Sequence, residues 1–290
     1  MNSEIVIPAV LFMGGLGAFL AGVIAFANRK LAVVEDPRID QVEQMLPGSN
    51  CGACGNPGCR AFAEALVGGT ENPAKCTISS AGVKLQIASH LGVELGDTEK
   101  RVARLACAGG AHVARQRTRY TGMESCRAAA LVAGGGKGCY WGCLGLKDCG
   151  VVCNFGAISF SENGLPSVDL DKCTACGDCV EICPKQLFSI QPVSRQLWVN
   201  CKNIEAGDAA EAECAVACIA CGKCAMDASG GLVSMKNNLP VIDYALNDFA
   251  TPSIIARCPT GAIIWINEKN QFETGQAAKR VIRTKALPIG

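Results

Sequence analysis

The cysteines carry whatever chemistry this chain does. The run Cys173-x2-Cys176-x2-Cys179-x3-Cys183-Pro184 has the spacing at which four thiolates ligate [4Fe–4S] clusters, the fourth thiolate serving a second cluster rather than the first. A looser run precedes it, Cys139-x3-Cys143-x5-Cys149-x3-Cys153. Exchange of the fourth ligands then predicts one cluster on Cys139, Cys143, Cys149 and Cys183. It predicts a second on Cys153, Cys173, Cys176 and Cys179.

A third run begins in the same way with Cys218, Cys221 and Cys224, but Ala228 stands where its fourth cysteine belongs. Further on, Cys258-Pro259 ends a run whose own triplet is missing. The two losses match. Cys258 is expected to complete the cluster of Cys218, Cys221 and Cys224, and the other cluster of this module is gone as a unit. Near the N-terminus, Cys51, Cys54, Cys59 and Cys76 read as one more [4Fe–4S] site, with a four-cysteine zinc site as the alternative. Cys107, Cys126, Cys201 and Cys214 remain. They are either a fifth cluster shared between modules or two pairs of plain thiols.

Twenty cysteines in 290 residues exceed what packing requires. Their bunching at C-x2-C spacing favours metal centres over disulfides. A net charge of +1 and few aromatics give no footprint for nucleic acid. No Ser/His/Asp or Cys/His set suggests bond-making catalysis, and His90 and His112 read as ordinary residues. The stretch AGGGKG (133–138) lacks the spacing of a phosphate loop and reads as a loop wrapped around a cluster. Tyr140 and Trp141 are expected to shield a cluster. The cations between Lys100 and Arg119 form either a solvated face or a dock for an acidic partner.

Elements must position these thiols. Ile5 to Asn28 is uncharged and long enough to cross a bilayer as a helix, with Arg29 and Lys30 directly after it. The positive-inside rule puts the N-terminus outside and the remainder in the cytoplasm, as a single-pass anchor in the cytoplasmic (inner) membrane. Gly14, Ala18 and Gly22 make a small-residue face for another helix. The competing reading, a cleaved signal peptide, has no basic n-region. Hairpins are predicted around Asn163-Gly164 and within GLVSMKNNLPVIDY. The fold class is α+β: an anchor and linker (1–34), a helical [4Fe–4S] domain (35–100), a two-cluster ferredoxin-like domain (101–198) and a degenerate one (199–290).

The order of anchor, CGACGNPGC, GGGKGCYWGCLGLKDCGVVCNFGAI and CTACGDCVEICP resembles the B subunit of Rnf complexes, the membrane-bound ferredoxin:NAD oxidoreductases. The first module alone is also similar to one in corrinoid iron–sulfur proteins. The resemblance implies an electron-transfer subunit of an ion-translocating oxidoreductase, fed by soluble ferredoxin and joined by membrane and flavin-bearing subunits. Two rivals stay open: an iron–sulfur subunit of another membrane redox complex such as a hydrogenase, and a zinc-stapled interaction scaffold.

Overall fold

The computed structural model describes residues 3–31, 36–96 and 99–289. Helix α1 (Ser3–Leu31) carries Arg29 and Lys30 in its last turn. Its stretch Val10–Leu31 is 22 residues long with a mean hydropathy of 2.2, and none of it is buried against the rest of the chain. At ~1.5 Å per residue it spans about 33 Å, so by length and composition it suits a bilayer. Gly14 and Gly22 face open space on this helix.

A helical unit follows. The Asp36 side chain accepts from the Arg38 N–H and Pro37 sits in the first turn, which starts α2 (Pro37–Met45). Helix α3 (Cys59–Val67) begins on a cysteine. Ser80 caps α4 (Ala81–Leu91), which stops at the left-handed Gly92. Val42, Phe62, Leu66 and Ile87 pack with Cys76 at the centre of this unit.

Two similar modules come next. In the first, β1 (Arg101–Leu105) pairs antiparallel with β4 (Phe188–Pro192). Between them lie α5 (Cys126–Leu131), α6 (Asp148–Val151), the hairpin β2 (Ile158–Phe160) and β3 (Pro166–Val168), and α7 (Asp178–Ile182). In the second, β5 (Leu197–Val199) pairs with β8 (Ile263–Ile266), which also pairs with β9 (Phe272–Glu273). Helices α8 (Gly207–Glu213) and α9 (Lys223–Asp227) and the hairpin β6 (Val233–Lys236) and β7 (Leu239–Ile242) lie between. Asn237 and Asn238 both take positive φ, which turns this hairpin in two residues. Because β5 pairs with β8, the boundary expected between 198 and 199 falls inside a strand of the second module.

The modules are joined closely. Trp198 Nε1 donates to the Leu105 carbonyl at 2.8 Å, and the Ala108 N–H donates to the Asn200 carbonyl at 3.0 Å. The C-terminal tail returns across the second module to the first, where the Leu287 N–H donates to the Ala111 carbonyl and Ile289 bridges to Gln116. Cysteines sit inside the apolar clusters of both modules, including Cys149 and Cys179 in one and Cys218, Cys224 and Cys258 in the other. With aromatics at only 5%, the cores are built around thiols.

Candidate metal centres

The local backbone explains how each run gathers its thiols. The third cysteine of every run is the second residue of a short helix: Cys149 in α6, Cys179 in α7 and Cys224 in α9. A left-handed residue precedes each helix, Lys147 at φ 70°, Gly177 at 96° and Gly222 at 69°. Ala175 and Ala220 occupy the same motif position and share the same φ of 57°. A residue with a Cβ is held left-handed at a cost of about 1–2 kcal/mol, so its repetition marks a loop shaped by what it surrounds.

Four cavities of similar size are each walled by four cysteines. Cys153, Cys173, Cys176 and Cys179 line one. Cys218, Cys221, Cys224 and Cys258 line another, so the isolated Cys258 stands beside the triplet that lacks a fourth member. The remaining two depart from the expected sets. Cys126, Cys143, Cys149 and Cys183 line one, while Cys107, Cys139, Cys201 and Cys214 line the other. Cys139 therefore does not join Cys143, Cys149 and Cys183, and Cys126 takes its place.

The exchange has a physical cause. Asp148, next to Cys149, accepts from Ser125 Oγ at 2.9 Å and from the Arg127 N–H at 3.1 Å, which fixes Cys126 at the mouth of that cavity. The residues before Cys139 are drawn the other way. The Gly138 N–H donates to the Arg115 carbonyl at 2.9 Å and Lys137 bridges to Gln116, carrying Cys139 toward Cys214. Cys214 is itself bridged to Ala114.

Backbone N–H groups aim at the sulfurs. Ala157 donates to Cys153 Sγ and Leu187 to Cys183 Sγ, both at 3.4 Å and both four residues on from the cysteine. Ala103 donates to Cys173 Sγ and Asn203 to Cys201 Sγ, also at 3.4 Å. Two more cross between cavities. The Cys143 N–H donates to Cys107 Sγ at 3.4 Å, and the Cys218 N–H donates to Cys201 Sγ at 3.3 Å. The cavity of Cys107, Cys139, Cys201 and Cys214 is thus hydrogen-bonded to one cavity in each module.

In the helical unit, Cys76 is buried and Cys51, Cys54 and Cys59 are half-buried. Ser79 Oγ donates to Cys76 Sγ at 3.1 Å, and Asn50 Oδ1 accepts from the Cys59 N–H at 2.8 Å. Burial pushes the thiols of the two modules upward, Cys139, Cys201, Cys218 and Cys224 to about 11 and Cys143, Cys149, Cys179 and Cys214 to about 12. Buried thiols of this kind are neutral without metal, and a metal centre holds them as thiolates by displacing the protons. Soft thiolates around a cavity with N–H donors on sulfur fit an iron–sulfur cluster. A single zinc, ~2.3 Å from each sulfur, would instead draw the four to one point.

An Fe-S cluster family model (FeS) matches residues 46–78, and a 4Fe-4S binding domain model (Fer4_6) matches residues 165–188. Along most of the chain, the B subunit of the Na(+)-translocating ferredoxin:NAD(+) oxidoreductase complex of Acetobacterium woodii is 41% identical, over 84% of this chain and 73% of the relative. The B subunit of the proton-translocating ferredoxin:NAD(+) oxidoreductase complex of Clostridium ljungdahlii is 38% identical over 91% and 93%. That of the ion-translocating oxidoreductase complex of Methanosarcina acetivorans is 34% identical over 90% and 98%. The chain belongs to the B-subunit family of ion-translocating oxidoreductase complexes. It carries iron–sulfur domains of the [4Fe–4S] type.

Other expected features fall differently. The cations between Lys100 and Arg119 do not share one face: Arg104 is buried, Lys100 stands 3.8 Å from Asp171 and Arg117 pairs with Glu213. Trp141 lines the cavity of Cys139, but Tyr140 is 63% exposed, under Lys185, and does not shield it. The glycines at 134–136 are left-handed, and a Cβ on Gly136 would run into the Thr118 carbonyl. His90 is exposed on α4, and burial lowers the half-buried His112. Sequence reasoning missed Asp148 and Ser125, whose only signal is that Asp148 precedes Cys149 as Asp178 precedes Cys179. It also missed Lys137.

Proposed function

We propose that this protein is the multi-cluster electron wire of an ion-translocating ferredoxin:NAD oxidoreductase complex. It takes electrons from reduced soluble ferredoxin and passes them toward the membrane subunits. All 20 cysteines are ligands in five sets of four: Cys51, Cys54, Cys59 and Cys76, and the four sets that line the cavities. When bound, [4Fe–4S] clusters supply one-electron transfer at potentials set by burial, charge and hydrogen bonds to sulfur. The observation that carries the reading is the pair of N–H bonds from Cys143 and Cys218 to sulfurs of the set between the modules. They support a step between the two modules at Cys107, Cys139, Cys201 and Cys214, and a continuous row of sites is what a wire requires.

The chain's own residues do three things. They hold thiolates, they keep the sites close, and through the apolar walls around Cys149, Cys179 and Cys258 they exclude water. Helix α1, with Arg29 and Lys30 in its last turn, supports a single-pass anchor in the cytoplasmic membrane with the N-terminus outside and the clusters on the cytoplasmic side. NAD takes two electrons as hydride, so flavin-bearing partner proteins must stand between one-electron clusters and that product. For ferredoxin, a basic surface forms where the tail meets the first module. Arg280, Arg283 and Lys285 are exposed, no acidic residue lies between Thr274 and Gly290, and Arg283 Nη1 donates to the His112 carbonyl at 3.3 Å. That surface lies beside the Cys214 bridge and suits an acidic redox protein. Mixing reduced ferredoxin with the anaerobically purified full chain in detergent tests the reading. Rapid bleaching of the protein's iron–sulfur absorbance is expected, and an unchanged spectrum would contradict it.

A further inference from the structure

The backbone bridge of Lys137 to Gln116 does not explain its side chain, which is buried. Only 7% of its surface is exposed. Its ammonium donates to the Gly109 carbonyl and, at 2.6 Å, to the Cys143 carbonyl. Among the described residues no carboxylate pairs with it. A buried ammonium is costly unless an anion compensates it, and carbonyl dipoles alone do not cancel a charge. Thiolate sites stand on two sides. Lys137 lines the cavity of Cys107, Cys139, Cys201 and Cys214, and it grips the carbonyl of Cys143, which lines the cavity of Cys126, Cys149 and Cys183.

We propose that Lys137 is the shared counter-cation of these two neighbouring [4Fe–4S] sites and raises both potentials together where electrons cross between the modules. The proposal rests on the ligand sets given above. A cluster on four thiolates is an anion that gains one further negative charge when it takes an electron. A fixed cation nearby favours the reduced form. One lysine touching both sites moves both in the same direction. The step between them then stays nearly level, and the next site along, at Cys218, is unaffected. Lys185 is the natural comparison. It also lines the cavity of Cys126, Cys143, Cys149 and Cys183, but it is only half-buried, over the Tyr140 ring at 4.0 Å, so solvent screens its charge more than that of Lys137.

The test is an EPR-monitored redox titration of the full-length, anaerobically purified protein and its variants, with iron counted in each. In Lys137→Met the reduction equilibria of the two sites are expected to move about tenfold toward the oxidised form, about 59 mV for a one-electron couple. The remaining sites should stay within about twofold. Lys137→Arg, which keeps the charge, should stay near the parent, and Lys185→Met should shift the same sites by less than about threefold. Lys137→Gln keeps a donor for the carbonyls without the charge and should behave as Lys137→Met does. Neutral variants with full iron and unmoved potentials would overturn the proposal. So would loss of iron from both neutral variants, which would make Lys137 a tether. A parent protein lacking iron at the Cys107 set would instead show that the ligand set itself is wrong.

Discussion

The two ferredoxin-like modules share a plan and differ in what they hold. In the first, a strand pair (β1 with β4) and one hairpin frame two four-cysteine cavities. In the second, β5 with β8 and a second hairpin frame one. The second module is short of four cysteines, the triplet before Cys258 and one at position 228, which on the exchange rule make one complete ligand set. The run that remains keeps the shape of its counterpart: Ala220 and Gly222 take the left-handed conformations of Ala175 and Gly177. The first module shows the opposite freedom. Between Cys126 and Cys143 the chain leaves Cys139 lining the cavity of Cys107, Cys201 and Cys214, and Cys126 lining the cavity of Cys143, Cys149 and Cys183.

The largest effect should come from breaking the site between modules. Cys214→Ala is expected to remove about four irons and to stop electrons that enter one module from reaching the other, measured by rapid-freeze EPR after reduction. Paired serine variants sharpen the comparison. Cys126→Ser should remove the same EPR signal as Cys183→Ser, and Cys139→Ser the same signal as Cys214→Ser. If Cys139→Ser instead matched Cys183→Ser, the exchange of ligands would be wrong.

Asp148→Ala should act more mildly. Removing the acceptor of Ser125 Oγ and the Arg127 N–H costs about 2 kcal/mol of the hold on Cys126, read as partial iron loss confined to that site. Charge reversal at Arg280 and Lys285 should slow the reaction with reduced ferredoxin roughly tenfold at low salt, with little difference at high salt. The smallest effect is expected from Ala228→Cys. It restores the run of the second module but not the missing triplet, so iron per chain should not change.

These cases show what the sequence makes legible. Cys258 could be matched to Cys218, Cys221 and Cys224 from spacing alone, since a tight run fixes which ligand is exported. The hairpin turns at Asn163-Gly164 and Asn237-Asn238 carried their own signal in residues that accept positive φ. Cys126 and Cys139 could not be sorted that way. Their places depend on Asp148 holding Ser125 and on Gln116 bridging to Lys137, contacts made across long loops with no periodic trace. The cations from Lys100 to Arg119 are spread for a related reason. Strand β1 is covered on both faces from Val102 to Arg104, so Arg104 is buried, while Arg280, Arg283 and Lys285 of the tail, more than 160 residues away, are exposed.

On the proposed function every cysteine is a cluster ligand, with Cys107, Cys139, Cys201 and Cys214 forming the link between modules. Iron and acid-labile sulfide per chain, measured on anaerobically purified full-length protein, test it most directly. Five sites predict about 20 irons and as many sulfides. About 16 irons would leave the link without a cluster and contradict the account, and stoichiometric zinc with little iron would contradict it entirely.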